Sequence, residues 1–153
     1  MTVELRDESF AGPAAQELLR AFTGDVVERY PEWTPDVGPT ATPEEFVPPT
    51  GLFLVAYDDD FAVGCAGFKR FDRETAEVKR MYVTPPWRRR GLAQQILSRL
   101  EARARQAGYV VIRLDTGDRQ PEALALFRGS GYREIGDYNG NPFARYWFEK
   151  RLS

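Results

Sequence analysis

A mixed-sheet α/β (α+β) domain with helices laid over the sheet is the fold class this sequence predicts. Three observations lead there. Apolar, β-rich segments follow one another between residues 52 and 83, and β-rich segments then alternate with helices. Proline and glycine punctuate the junctions. At 153 residues the chain fits one domain, 1–153, with one continuous core.

Taken in order, Thr2–Arg6 reads as a short strand. Pro13–Phe22 reads as a helix, with Pro13 in its first turn and Leu18, Leu19 and Phe22 on one side. Asp25–Tyr30 is expected to add a short second helix. From Pro31 to Pro49 the chain holds six of its eleven prolines, too many for regular structure. That stretch reads as a long loop, either a lid or binding loop or a plain surface connection. Leu52–Tyr57 is a continuous apolar run, as in a strand covered on both faces. Asp58-Asp59-Asp60 makes a solvated hairpin tip, and Phe61–Phe71 returns as a strand carrying Gly64 and Gly67. Ala76–Val83 is the third strand of this run. Leu92–Ala107 is the strongest helix: Leu92, Ile96, Leu100, Ala104 and Ala107 share a face, and Gly108 stops it. Tyr109–Leu114 reads as a strand, Pro121–Arg128 as a helix ended by Gly129-Ser130-Gly131, and Tyr146–Lys150 as the last strand.

Composition removes several function classes. The chain is 42% hydrophobic and 29% charged, and no window approaches the ~18 apolar residues of a membrane span. Met1–Glu8 lacks an apolar signal-like core, so a cytoplasmic protein is expected. Cys65 is the only cysteine, which rules out an internal disulfide or a cysteine zinc cage, and it reads as a buried structural thiol. Histidine is absent, which excludes Ser-His-Asp and Cys-His catalysis. No metal is expected. Residues 25–60 hold nine acids against one base, and residues 69–119 hold thirteen Lys/Arg against six acids. Either these are two solvated surfaces, or one region suits a cation and the other a polyanion. Nucleic acid fits that polyanion poorly, because the formal charge is −2 and no basic stripe interleaved with aromatics occurs. The Gly-x-Gly-x-x-Gly dinucleotide fingerprint is also missing.

The most informative stretch is Met81-Tyr82-Val83-Thr84-Pro85-Pro86-Trp87-Arg88-Arg89-Arg90-Gly91-Leu92-Ala93. A strand ends, prolines break it, and a basic, glycine-containing turn opens a strong helix. Amides at a helix N-terminus are unpaired and favour an anion. Gly91 and Ala93 keep side-chain bulk away from an approaching phosphate. Arg88, Arg89 and Arg90 add charged donors. The stretch reads as a pyrophosphate cradle.

Arg88-x-x-Gly91-x-Ala93, set between strand and helix, resembles the acetyl-coenzyme A motif of the GNAT superfamily of N-acetyltransferases. Ala76–Val83 resembles the strand that precedes this motif in the family. Ala125-Leu126-Phe127-Arg128-Gly129-Ser130-Gly131-Tyr132 resembles a downstream family segment. The tail Tyr138–Lys150 looks like that of bacterial members without an assigned substrate. The resemblance covers residues 51–135 well and the rest in element order. It implies a mostly antiparallel mixed sheet splayed between its fourth and fifth strands, with acetyl-CoA as cosubstrate. The pantetheine arm would lie against Met81, Tyr82 and Val83, and the pyrophosphate on Arg89, Arg90, Gly91, Leu92 and Ala93. Composition points to no nucleic-acid or membrane partner; the resemblance implies an amine acceptor (small molecule or peptide) and admits a homodimer.

Acyl transfer to an amine requires loss of a proton from the ammonium, stabilisation of the thioester oxygen, and departure of a thiolate. Glu77 is the expected general base, acting through a water, and the resemblance makes the Met81 amide the oxyanion donor. Strand alternation is expected to turn Glu77, Lys79, Met81 and Val83 to one side; the alternative to the base role is a structural ion pair of Glu77 with Arg70 or Lys79. Many relatives carry tyrosine, thought to protonate the thiolate, where this chain has Phe127. Tyr132 and Tyr138 are the nearest substitutes, and Tyr138 is taken into the catalytic set. Gln120 is expected to cap its helix or contact the cofactor. Glu28, Glu32, Glu44 and Glu45 are candidates to attract an ammonium group, with Trp33 and Phe46 against its stem. Asn139, Asn141 and Arg145 are candidates from the tail. A small amine or polyamine-like acceptor follows from the acid excess. The alternative is an acyl-CoA-binding sensor with little turnover, which Phe127 keeps open.

Overall fold

The computed structural model describes residues 3–33 and 41–152. In chain order these form β1 (Glu4–Asp7), α1 (Pro13–Arg29), β2 (Leu52–Asp58), β3 (Phe61–Arg70), β4 (Thr75–Val83), α2 (Leu92–Gln106), β5 (Val111–Thr116), α3 (Pro121–Gly129), β6 (Arg133–Ile135) and β7 (Tyr146–Arg151). One seven-stranded sheet runs β1-β2-β3-β4-β5-β7-β6, and only the β4–β5 pair is parallel. This is the mixed, mostly antiparallel sheet flanked by helices that the sequence predicts.

The run Leu52–Tyr57 is apolar throughout because both faces of β2 are covered. Leu52, Leu54 and Ala56 enter the core beneath α2 and α3, with Ile96, Leu97, Leu100 and Phe127. Phe53, Val55 and Tyr57 enter a second core beneath α1, with Ala15, Leu18 and Leu19. On α2, Leu97 joins the expected apolar face, whereas Ala107 lies exposed past the helix end, and Gly108 stops the helix at φ +99°.

Three local expectations are corrected. Pro13–Phe22 and Asp25–Tyr30 are one continuous helix, because Gly24 sits exposed in α1 and breaks nothing. The 31–49 segment contains a 3-10 turn, Pro43–Phe46, closed by a reciprocal Thr42–Glu45 capping box; residues 34–40 lie outside the described residues. The three-residue strand β6 is not anticipated from the sequence, being too short to show a period.

At the site, β4 departs from strict alternation. Lys79 of β4 pairs with Gly67 and Tyr82 pairs with Cys65, so Ala66 alone faces both Arg80 and Met81. Arg80 takes φ +62° to accommodate this bulge. Alternation therefore reverses there. Ala76 and Val78 lie in the α2-side core, as do Met81 and Val83 at its edge, while Tyr82 lies in the α1-side core. Glu77 and Lys79 thus face away from Met81 and Val83, not with them.

The β4–β5 ladder has only three pairs, Thr75–Val111, Ala76–Ile112 and Glu77–Arg113. Beyond Glu77 the strands diverge, β4 staying with β3 and β5 with β7. The sheet is splayed between its fourth and fifth strands.

Candidate functional site

The splay opens into a cavity of about 210 Å³. One wall is Val78–Met81 of β4 and the other is Leu114–Thr116 of β5. Phe22 and Val26 of α1, with Tyr30 and Trp33 after it, close one side; Gln120, Ala123 and Phe127 close another, and Ala41, Gly117, Asn141 and Phe143 complete the described lining. Tyr30 is held in this wall by accepting the Arg119 amide at 3.0 Å, with its ring under the Arg119 guanidinium.

β4 leads through a short 3-10 turn, Pro85–Trp87, to the start of α2. Gly91 occupies the N-cap at φ +80°, and no side chain caps the helix. Its first-turn amides are therefore left to an outside acceptor. Arg89, at φ +63°, Arg90 and Gly91 are exposed. Arg88 is fixed instead: its Nε donates to the Val83 carbonyl at 3.0 Å and its guanidinium lies over the Tyr82 ring. Arg90 lies over Trp87. This open, basic helix start fits a pyrophosphate.

A polar cluster sits beside the cavity on the other face of β4. Glu77 is 2% exposed. Its Oε2 accepts the Tyr138 hydroxyl at 2.7 Å and Asn139 Nδ2 at 3.0 Å, and Lys79 stands 3.4 Å away. The same Asn139 Nδ2 donates to Asp115 at 2.6 Å, tying the carboxylates of β4 and β5 together. Asn141 reaches Asp115 at 3.4 Å and Lys79 stands 4.0 Å from it. Burial, and then the charges of Glu77 and Asp115, push the Tyr138 phenol far above the ordinary tyrosine value. It holds its proton for Glu77.

The sequence candidates separate into groups. Met81, Gln120 and Phe127 line the cavity, and Phe127 packs on Tyr132 and Phe148. Gln120 stands at the α3 N-cap without capping it through its side chain. Tyr82 and Leu92 are buried in the cores, Val83 and Ala93 are half-buried, and Arg88, Arg89, Arg90 and Gly91 form the helix start. Glu77 and Tyr138 are bonded to each other and do not line the cavity; Asp115 does. The cross-strand neighbour of Glu77 is Lys69, 3.9 Å away, not Arg70, which donates to the Tyr109 hydroxyl. Tyr132 donates to Glu101, away from the cavity. Burial pushes the Cys65 thiol up to about 12, and its Sγ donates to the Arg80 carbonyl, a structural role.

Of the four acids expected to draw in an ammonium group, none lines the cavity: Glu45 pairs with Lys69, Glu32 with Arg119, and Glu28 and Glu44 are exposed. Phe46 stacks on Phe10 in the α1-side core, and Arg145 is exposed, while Trp33 and Asn141 do line the cavity. Arg80, Asp115 and Thr116 were missed. A single acid inside the short strand Val111–Thr116 was the available signal for Asp115; nothing local marked the other two.

No described helix is long and apolar enough to cross a membrane. The sequence pattern of the acetyltransferase (GNAT) family matches residues 14–132. An IAA acetyltransferase from Azospirillum brasilense is 37% identical over 105 residues, covering 65% of this chain and 67% of its own length. The matches to four other curated N-acetyltransferases cover 39–63% of their lengths. An acetyltransferase of the GNAT family from Staphylococcus aureus Mu50 superposes with a TM-score of 0.79 at 18% identity, over 99% of this chain and 100% of its own. The PaiA N-acetyltransferase of Thermoplasma acidophilum, solved with coenzyme A, gives 0.72 at 18% identity over 99% of each chain. The chain belongs to the acetyltransferase (GNAT) family and is an acetyltransferase.

Proposed function

We propose that the enzyme transfers an acetyl group from acetyl-CoA to a primary amine, on a small molecule or a peptide, by direct attack in a ternary complex. The observation that carries this is the divergence of β4 from β5 directly before an uncapped, arginine-flanked helix start. The coenzyme A carried by the Thermoplasma structure of the same fold supports it.

Acetyl-CoA supplies the activated thioester. The amides of Arg89–Ala93 hold its pyrophosphate, and the 81–83 segment of β4 flanks its pantetheine arm. The Met81 amide stabilises the thioester oxygen as it gains charge. Glu77 and Asp115, bridged by Asn139, form the proton-accepting pair, with Asp115 at the cavity wall and Glu77 reached through a water. The buried Tyr138 phenol donates to Glu77 and holds it in place. Phe127 gives no proton, and the leaving group departs as a thiolate, which a thiol pKa near ~8.5 permits.

The test is incubation with acetyl-CoA and a mixed amine panel while free thiol is followed. Acceptor-dependent thiol release is the expected result. Coenzyme A binding without release from any amine would instead identify an acyl-CoA sensor.

A further inference from the structure

We propose that the acceptor amine carries a carboxylate, gripped by the Arg80 guanidinium with the Thr116 hydroxyl as a second donor. This deepens the acyl-transfer assignment and rests on it.

Among the described residues the cavity is lined by three charged side chains, Lys79, Arg80 and Asp115. Two are committed to each other and to the cluster: Lys79 stands between Glu77 and Asp115, and Asp115 accepts from Asn139 and Asn141. Arg80 is not. Among the described residues its guanidinium has neither a carboxylate within 4.0 Å nor a hydrogen-bond acceptor, and it lies 5.9 Å from the centre of the Phe22 ring. Burial draws its pKa down, with no neighbouring charge to oppose it. A half-buried cation without a counter-ion is costly unless a ligand supplies one.

Across the slot, on β5, Thr116 is 5% exposed and lines the same cavity. Its Oγ1 is the one buried side-chain polar atom among the described residues that lacks a hydrogen-bond partner. Buried hydroxyls are nearly always paired, so an unpaired one on a residue that lines the cavity marks an unmet polar demand beside it. A guanidinium fork on one wall, with an unpaired hydroxyl buried in a residue of the other, suits a planar, two-oxygen anion. The remaining walls, Phe22, Val26, Leu114 and Phe143, suit an apolar or aromatic remainder. Asp115 in the same cavity can face the amine. An amino acid with an apolar side chain meets all of these requirements, whereas a polyamine would meet Arg80 with like charge. This reverses the acceptor class that the acid excess of residues 25–60 predicts, because none of the described carboxylates of that stretch lines the cavity.

Binding of N-acetylated amino acids tests this without turnover, since their carboxylate is the only charge. Matched pairs of N-acetyl amino acid and its neutral amide, with glycine, leucine, phenylalanine and tryptophan side chains, are titrated calorimetrically into the full chain with and without coenzyme A. At least one acid is expected to bind tenfold or more tightly than its amide. Arg80→Met should abolish that ratio, Arg80→Lys should reduce it several-fold, and Thr116→Val should lower it about threefold, all with coenzyme A affinity unchanged. Equal binding of acid and amide in every pair overturns the proposal. So does an Arg80→Met variant that keeps the ratio, or one that weakens coenzyme A instead, which would assign the guanidinium to the cofactor. A wild-type chain that binds no coenzyme A sinks the acyl-transfer assignment separately, and the acid–amide ratio is still read.

Discussion

Gly91 offers the cleanest perturbation of the proposed pyrophosphate cradle. It holds the α2 N-cap at φ +80° and ψ 9°, and a Cβ added there would meet nothing within 4 Å. The stability cost of Gly91→Ala is therefore conformational alone, about 1–2 kcal/mol for an L-residue in the left-handed region. For a chain of 153 residues that lowers Tm by roughly 2–8 °C. Asparagine visits this conformation more readily, so Gly91→Asn should cost about half as much or less. Coenzyme A binding separates fold from function. If the pyrophosphate lies against these amides, either side chain obstructs it and removes at least one charge-assisted hydrogen bond, about 1.5–3 kcal/mol. Calorimetric titration should then show a Kd raised about 10- to 150-fold in both variants. A Gly91→Asn protein with wild-type Tm and wild-type affinity would refute the cradle.

Three further perturbations address the rest of the site. Tyr138→Phe removes a donor from the buried Glu77 carboxylate and should cost about 1.5–3 kcal/mol, seen as a Tm lower by roughly 3–12 °C. The same variant should soften alkaline unfolding. With its folded pKa raised, Tyr138 keeps its proton above about pH 10, where the unfolded chain loses it, so wild-type stability falls as pH rises by up to about 1.4 kcal/mol per unit; urea unfolding at pH 9, 10 and 11 should show a shallower fall in the variant. Glu77→Gln should lower kcat by about 10²- to 10⁴-fold while coenzyme A affinity persists, and an unchanged kcat would remove Glu77 from the proton path. Gly117→Ala places a Cβ 1.8 Å from the Tyr30 hydroxyl oxygen and 2.9 Å from the Phe143 carbonyl. The cavity wall must shift, costing about 1–3 kcal/mol in thermal unfolding and raising acceptor KM more than acetyl-CoA KM.

Strands β2, β3 and β4 and helices α2 and α3 were legible because their residues are set by local period and by punctuation: Gly108 ends α2, and Pro121 opens α3. The helix start at Gly91 was legible for the same reason, since a basic glycine turn between strand and helix is a local pattern. The cavity chemistry was not. Asp115 gains meaning only because Asn139, 24 residues on, brings its amide to both Asp115 and Glu77. Glu45 looked available as a free carboxylate, but it is occupied by Lys69 and by its own capping box, contacts that only tertiary structure creates.

The bulge at Arg80 ties these failures together. Strict alternation would put Glu77 and Met81 on one side of β4, so that carboxylate and cofactor edge shared a face with nothing left over. One extra residue opposite Ala66 turns Met81 and Val83 toward α2 and leaves Glu77 and Lys79 on the other side. The residue that absorbs the insertion takes a conformation costing about 1–3 kcal/mol for a non-glycine side chain. A glycine would relieve that strain, yet the chain places there an arginine that lines the cavity without a described counter-ion. Backbone relief alone does not explain an arginine at that position; an anion in the cavity does. Arg80→Gly therefore weighs the two demands directly: if the strain outweighs the packing lost with the side chain, the variant is more stable than wild type, and it should still lose the preference for a carboxylate-bearing ligand.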